Sequence, residues 1–196
     1  MFTTIEKNQI ISEEQYLINE AKANFKSEYH NGEVIMMAGA TLNHNRIVSN
    51  LIGELYNCLK NKKCEVLPSD MLLKLPACKK YVYPDITIVC DEIMLDENKK
   101  QGLDVLLNPS IVIEVLSEST KLFDKTEKLN CYCTLQSLQQ YIMIDSEKFE
   151  IIIYTRTENN DWLMHIVANI NEKIKIGECE IDSKDIYIKV VYEIEG

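Results

Sequence analysis

Glycine and proline are scarce: the 196 residues contain 6 and 4 of them. These residues punctuate chains most strongly, so the sequence reads as mostly regular structure, without linkers, repeats or low-complexity tracts. No apolar stretch approaches the ~20 residues that span a bilayer, and residues 1–9 lack the apolar core of a signal peptide. Both absences lead to the expectation of a cytoplasmic protein with no membrane contact. Basic residues are outnumbered, 21 against 31 acidic, for a net charge of −10. That balance counts against a protein that coats nucleic acid nonspecifically, which needs a broad basic surface. It leaves room for a cleft where a metal or a basic rim inverts the local field.

Signature motifs are missing too. There is no Gly-x-x-x-x-Gly-Lys-Ser/Thr loop, no Gly-x-Gly-x-x-Gly and no His-Glu-x-x-His, so kinase, nicotinamide-enzyme and zinc-protease readings fall away. The seven cysteines include no Cys-x-x-Cys pair. They are expected to be reduced, buried thiols acting as small hydrophobes in a reducing compartment.

What is present is an ordinary globular composition, 46% hydrophobic and 27% charged, expected to form a single domain over residues 1–196. Ser12 and Gln15 form a capping-box signal for a first helix, with Ile11 and Tyr16 as a hydrophobic staple. Asn31-Gly32 between two apolar flanks predicts a two-residue hairpin. Ile47, Val48, Leu51, Ile52, Leu55 and Leu59 recur at helical spacing and predict an amphipathic helix over 43–61, with Asn43 as its N-cap. Strands are expected at 64–67, 71–75, 82–90, 111–116, 141–144, 150–154, 162–168 and 174–176, a solvated loop or short helix at 91–102 and a helix over 120–135. The order predicts an α/β fold, a mixed sheet with helices packed on it.

Two strands carry the chemistry. Tyr83-Pro84-Asp85-Ile86-Thr87-Ile88-Val89 and Ile111-Val112-Ile113-Glu114-Val115-Leu116-Ser117 are apolar runs, each holding one carboxylate. A carboxylate in such a run is expensive unless paired. Alternation places Asp85, Thr87 and Val89 on one face, and Val112, Glu114 and Leu116 on one face of the other strand. Neighbouring strands would bring the two acids together, and Mg²⁺ is commonly held by one or two carboxylates plus waters and phosphate oxygens. Lys128 would add positive charge where phosphoryl transfer develops negative charge. The competing structural reading makes Asp85 a turn residue and pairs Glu114 with an arginine across the sheet. Glu28, His44 and Asp70 either line the same polar cleft or serve as cap and turn residues. His30 and His165 read as solvated strand residues.

The ordered pieces Glu28-Tyr29-His30-Asn31-Gly32-Glu33, Met37-Ala38-Gly39-Ala40, His44-Asn45-Arg46-Ile47-Val48, Pro68-Ser69-Asp70-Met71, Tyr83-Pro84-Asp85-Ile86 and Ile113-Glu114-Val115-Leu116-Ser117 continue through Ser119, Thr120, Asp124, Lys128 and Tyr132 to Tyr141-Ile142-Met143-Ile144-Asp145. In these the chain resembles the Uma2-like (DUF820) family, abundant in cyanobacteria and grouped with PD-(D/E)xK restriction-endonuclease-like proteins. The resemblance implies a restriction-endonuclease-like core, a central mixed sheet flanked by helices, with an N-terminal helix and hairpin. It implies a Mg²⁺- or Mn²⁺-dependent DNA endonuclease in which Asp85 and Glu114 hold the metal, Lys128 assists and Glu28 contributes a third acid. Leu116 stands where the superfamily pattern has a lysine, so a lysine from the following helix takes the role: Lys128 first, Lys125 and Lys121 next. The rival readings are a nuclease-fold protein that binds nucleic acid or protein without cutting, and a structural dimerisation module. A homodimer would suit a double-strand cutter.

Overall fold

The computed structural model describes residues 10–98, 100–117 and 124–192. The first helix, α1 (Glu13–Glu20), is capped as its sequence signals: the Ser12 hydroxyl accepts from Gln15 N at 3.1 Å. The reciprocal half of the box is replaced, because the Gln15 amide donates to Asn19 Oδ1 at 2.9 Å. Strands β1 (Ser27–His30) and β2 (Glu33–Met36) pair with His30 opposite Glu33. The two-residue turn between them needs positive φ at both positions, met by Asn31 at 49° and Gly32 at 108°.

The long helix α2 (Leu42–Leu59) buries Ile47, Leu51, Leu55 and Leu59 on one face. Its N-cap is Thr41, whose hydroxyl accepts from His44 N at 3.3 Å, and not Asn43 as the sequence suggested. Asn43 instead donates its amide to the Val191 carbonyl at 2.7 Å and ties the far end of the chain to this helix.

Strands β3 (Glu65–Pro68), β4 (Leu72–Leu75), β5 (Lys80–Val82), β6 (Ile86–Val89), β7 (Val105–Leu106), β8 (Ile111–Leu116), β9 (Gln140–Asp145), β10 (Ile151–Arg156), β11 (Trp162–Val167), β12 (Lys173–Ile176) and β13 (Cys179–Asp182) follow. They form a six-stranded mixed sheet in the order β11-β10-β9-β8-β6-β3, a five-stranded sheet in the order β2-β1-β5-β4-β7, and the β12-β13 hairpin. The expected strand over 82–90 is in fact two. Pro84 has no N–H to give to a ladder, so the chain leaves the five-stranded sheet at Val82 and enters the six-stranded one at Ile86.

Alternation along β8 divides the core. Ile111, Ile113 and Val115 pack with α2 and the β12-β13 hairpin. Val112 and Leu116 face the other way, towards Leu73, Leu75 and Val82 of the second sheet and Tyr132. The expected central sheet is therefore one of two stacked layers. The segment expected to be a helix over 120–135 begins outside the described residues. It is a π-type turn, Asp124–Lys128, running into helix α3 (Leu129–Tyr132). Residues 91–98 are not merely solvated: Asp96 is buried and accepts from Lys74 Nζ at 2.7 Å.

The cysteine expectation is corrected. Cys58–Cys179, Cys64–Cys90 and Cys78–Cys131 are disulfides, and Cys133 is free. The fold brings together residues as far as 121 positions apart in the chain, so spacing gave no sign of the pairs. The inference of a reducing compartment loses its footing with them. Among the described residues, no helix is long and apolar enough to cross a membrane.

Candidate active site

The strand switch at Pro84 places Asp85. Strand β6 pairs with β8 in antiparallel register, Ile86 opposite Ile113 and Thr87 opposite Val112, so Asp85 falls opposite Glu114 at the end of that ladder. Its side chain continues what the backbone stops: Asp85 Oδ2 accepts from Val115 N at 2.7 Å. The same oxygen lies 3.2 Å from His44 Nε2, and both side chains are less than a fifth exposed. His44 is delivered by the first turn of α2, where Thr41 caps its backbone N–H. Among the described residues, the buried atoms His44 Nδ1 and Thr87 Oγ1 have no hydrogen-bond partner.

Glu114 lies on the Val112 face of β8 and is buried. Its Oε1 accepts from the Tyr132 hydroxyl at 2.7 Å and from Lys128 Nζ at 3.4 Å. Lys128 reaches in the other direction to Glu28 Oε1, at 3.2 Å. All three charged groups are less than a tenth exposed. The charge facing Glu114 is thus a lysine, not the arginine of the structural reading. Lys121 and the side chain of Lys125, the other two lysine candidates, lie outside the described residues.

Glu28 arrives from the first hairpin. Tyr29 faces α1 in a cluster with Tyr16 and Tyr81, so Glu28 and His30, on the opposite face of the strand, turn towards the Lys128 segment. Glu28 Oε1 also accepts from Tyr83 N at 3.3 Å, and Oε2 lies 3.0 Å from His30 Nε2. Burial alone would raise the Glu28 carboxyl, but the hydrogen bond from His30 and the Lys128 charge outweigh it and hold the group below its ordinary range. His30 is therefore not solvated as expected; its side chain is 10% exposed and belongs to the cluster. His165 is exposed and pairs with Glu172, as a surface strand residue does. Asp70 stands apart: its exposed carboxylate pairs with Lys26 at 3.0 Å, and Lys26 lies over the Tyr83 ring.

Three contributors escaped the sequence reading. Tyr132 is fully buried, and burial together with the Glu114 charge pushes its hydroxyl well above the ordinary range, so it remains a protonated donor. His30 sits two residues from Glu28, and that spacing in a strand is a legible signal for a shared face. Glu20 has no local signal. Its buried carboxylate accepts from Ser27 N at 2.9 Å, Ser27 Oγ at 2.6 Å and the Tyr83 hydroxyl at 3.0 Å. It fastens together the chain neighbours of Glu28 and of the Pro84-Asp85 turn. A second fastening holds the lysine segment, where Lys80 Nζ pairs with Glu127 at 3.0 Å and Cys78 is bonded to Cys131.

Among the described residues, no group of three or more His, Cys, Asp or Glu side chains forms a ready-made metal cage. The donors that do converge are hard carboxylate oxygens, and Mg²⁺ needs only one or two of these beside waters and substrate phosphate. The buried ammonium between Glu28 and Glu114 marks the place as one that holds a cation. The donor set fits Mg²⁺ or Mn²⁺ and is wrong for a thiolate-seeking metal.

Comparison with known proteins agrees with this architecture. Residues 13–179 match the sequence model of the Uma2 family, described as "Putative restriction endonuclease". Two relatives come from Synechocystis sp. (strain ATCC 27184 / PCC 6803 / Kazusa). Uncharacterized protein sll1609 is 33% identical over 173 residues, covering 88% of this chain and 96% of the relative. Uncharacterized protein slr1290 is 30% identical over 154 residues, covering 79% and 78%. The crystal structure of "a putative nuclease belonging to DUF820" from Anabaena variabilis ATCC 29413 shares the fold, with a TM-score of 0.70 at 18% identity over 89% of this chain and 98% of that one. The matched span takes in Glu28, Asp85, Glu114 and Lys128 together, and this chain belongs to the Uma2 family.

Proposed function

We propose that the protein is a Mg²⁺- or Mn²⁺-dependent endonuclease that hydrolyses DNA phosphodiester bonds. The observation that carries the reading is the convergence of Glu28, Glu114 and Lys128 in one buried cluster, with Asp85 opposite Glu114 across the β6-β8 ladder. Asp85 and Glu114 are the metal ligands in this reading. The ion, when bound, supplies positive charge against the scissile phosphate and its leaving oxygen.

The protein's own groups do the rest. Val115 N and His44 fix the Asp85 carboxylate, so its orientation does not depend on substrate. Tyr132 fixes Glu114 from the opposite side. Lys128 offers an ammonium to the charge that grows on the phosphoryl oxygens, a contribution that is large when the donor is held in advance in a dry site. Glu28 keeps that ammonium aimed, and His30 keeps Glu28 ionised. With a net charge of −10, the protein would rely on the metal and this lysine, not a basic surface, to draw a polyanion to the cleft. A homodimer would present two such clefts to the two strands of a duplex.

The test is nicking of supercoiled plasmid with and without Mg²⁺ or Mn²⁺. Conversion to open circle that requires the metal and disappears in Glu114→Gln supports the reading. No conversion by the wild type with either metal counts against it and favours a nuclease fold that binds without cutting.

A further inference from the structure

We infer that Lys128 is the resident cation of this site: its ammonium, held between Glu28 and Glu114, occupies Glu114 until a divalent ion binds there, and metal entry displaces it from Glu114 while Glu28 retains it. This deepens the reading above and rests on it.

Three observations lead here. Glu28 and Glu114 are buried carboxylates, and two such anions in one dry place are costly without a cation between them. Lys128 Nζ lies 3.2 Å from one and 3.4 Å from the other, and is itself buried. The Glu114 oxygen it touches, Oε1, is already taken by the Tyr132 hydroxyl. An ion binding at Glu114 would meet both donors. A hydroxyl dipole can turn away, but an ammonium of like charge beside a divalent ion is repelled.

The lysine has somewhere to go. Glu28 Oε1 receives it, and that carboxylate is anchored by Tyr83 N at 3.3 Å and by His30 at 3.0 Å. A lysine is a point charge on a flexible four-carbon stem, so a small rotation suffices to leave one partner and keep the other. Metal loading and placement of the catalytic ammonium thereby become one event: the ion that needs Glu114 also frees the lysine to face substrate.

The experiment measures Mn²⁺ binding by calorimetry to wild type and to Lys128→Met, alongside thermal melts with and without Mn²⁺. Removing the competing cation should tighten Mn²⁺ binding about tenfold, the factor equivalent to ~1.4 kcal/mol, and give the variant a larger metal-induced rise in Tm than wild type. Equal or weaker binding by the variant overturns the inference and leaves the nuclease reading standing. Binding by neither protein overturns both. If Lys128→Met does not fold without metal, a crystal structure of the wild type with Mn²⁺ decides. Nζ retained on Glu28 but withdrawn from Glu114 supports displacement, and Nζ still bonded to Glu114 beside the ion overturns it.

Discussion

The Asp85 carboxylate accepts a hydrogen bond from the backbone N–H of Val115 at 2.7 Å, so a side chain finishes a ladder that Pro84 prevents the backbone from finishing. This gives the two obvious substitutions different outcomes. Asp85→Ala leaves a buried donor unpaired and should cost about 1–3 kcal/mol of stability. Asp85→Asn can still accept from Val115 and should melt within about 1 kcal/mol of wild type. The asparagine variant is thus the clean probe of metal binding. It should lose the Mn²⁺-induced rise in Tm expected from ligand linkage. A full metal response in a folded Asp85→Asn would remove Asp85 from the ligand set.

Lys128→Met should lower plasmid cleavage by roughly 10²–10³-fold, the usual cost of one preorganised electrostatic group. Lys125→Met and Lys121→Met are the comparisons. If either abolishes cleavage while Lys128→Met remains active, the lysine assignment is wrong and the nuclease reading survives.

Acid stability follows from Glu28 and Asp96, both held below their ordinary ranges. For Asp96, burial pulls upward, and the Lys74 hydrogen bond and charge prevail. A carboxyl depressed in the folded state stabilises it above the unfolded pKa, and that contribution fades as pH falls through the folded value. Stability should therefore be steady near neutrality and decline below about pH 4. Denaturant melts at a series of pH values should show a flatter acid limb for Asp96→Asn than for wild type. Identical limbs would mean that Asp96 titrates alike in both states.

Thiol titration under denaturing, non-reducing conditions should find one reactive group, Cys133. Seven would mean that the bridges do not form in the isolated protein. Cys58–Cys179 closes the longest loop, 121 residues, so Cys58→Ser should lower stability by as much as ~4–5 kcal/mol on the chain-entropy account. Cys64→Ser, opening a loop of 26, should cost less.

Local signals were read well. The Asn31-Gly32 turn and the apolar face of α2 depend on neighbours within a few residues, whereas Asp85 lies just before β6 and its carboxylate meets Val115 N and His44 while Glu114 meets Lys128 and Tyr132. The Pro84 break is visible in the sequence: proline's missing N–H argues for a boundary inside the single strand expected over 82–90. Thr41 and Asn43 are both good caps, and the choice between them was made by a distant residue, Val191, which claims the asparagine. Of the distant partners of the acids only Lys128 is legible beforehand, and the other pairings carry no local signal. Lys128 meets Glu28 across 100 positions and Tyr83 meets Glu20 across 63. Such contacts exist only once two sheets have stacked.

That stacking has a consequence for how the protein can change. Glu28 comes from one sheet, Glu114 from the other, and Asp85 from the bridge between them. A slide of one layer by a single residue spacing, ~3.3 Å, exceeds what any of these contacts could absorb. Side chains such as Leu73 and Met143, which pack between the layers, therefore set the separation of the acids although neither carries a charge. A screen for altered activity should return such interior apolar positions alongside the charged ones, and a lineage could retune its chemistry while every acidic residue stayed the same.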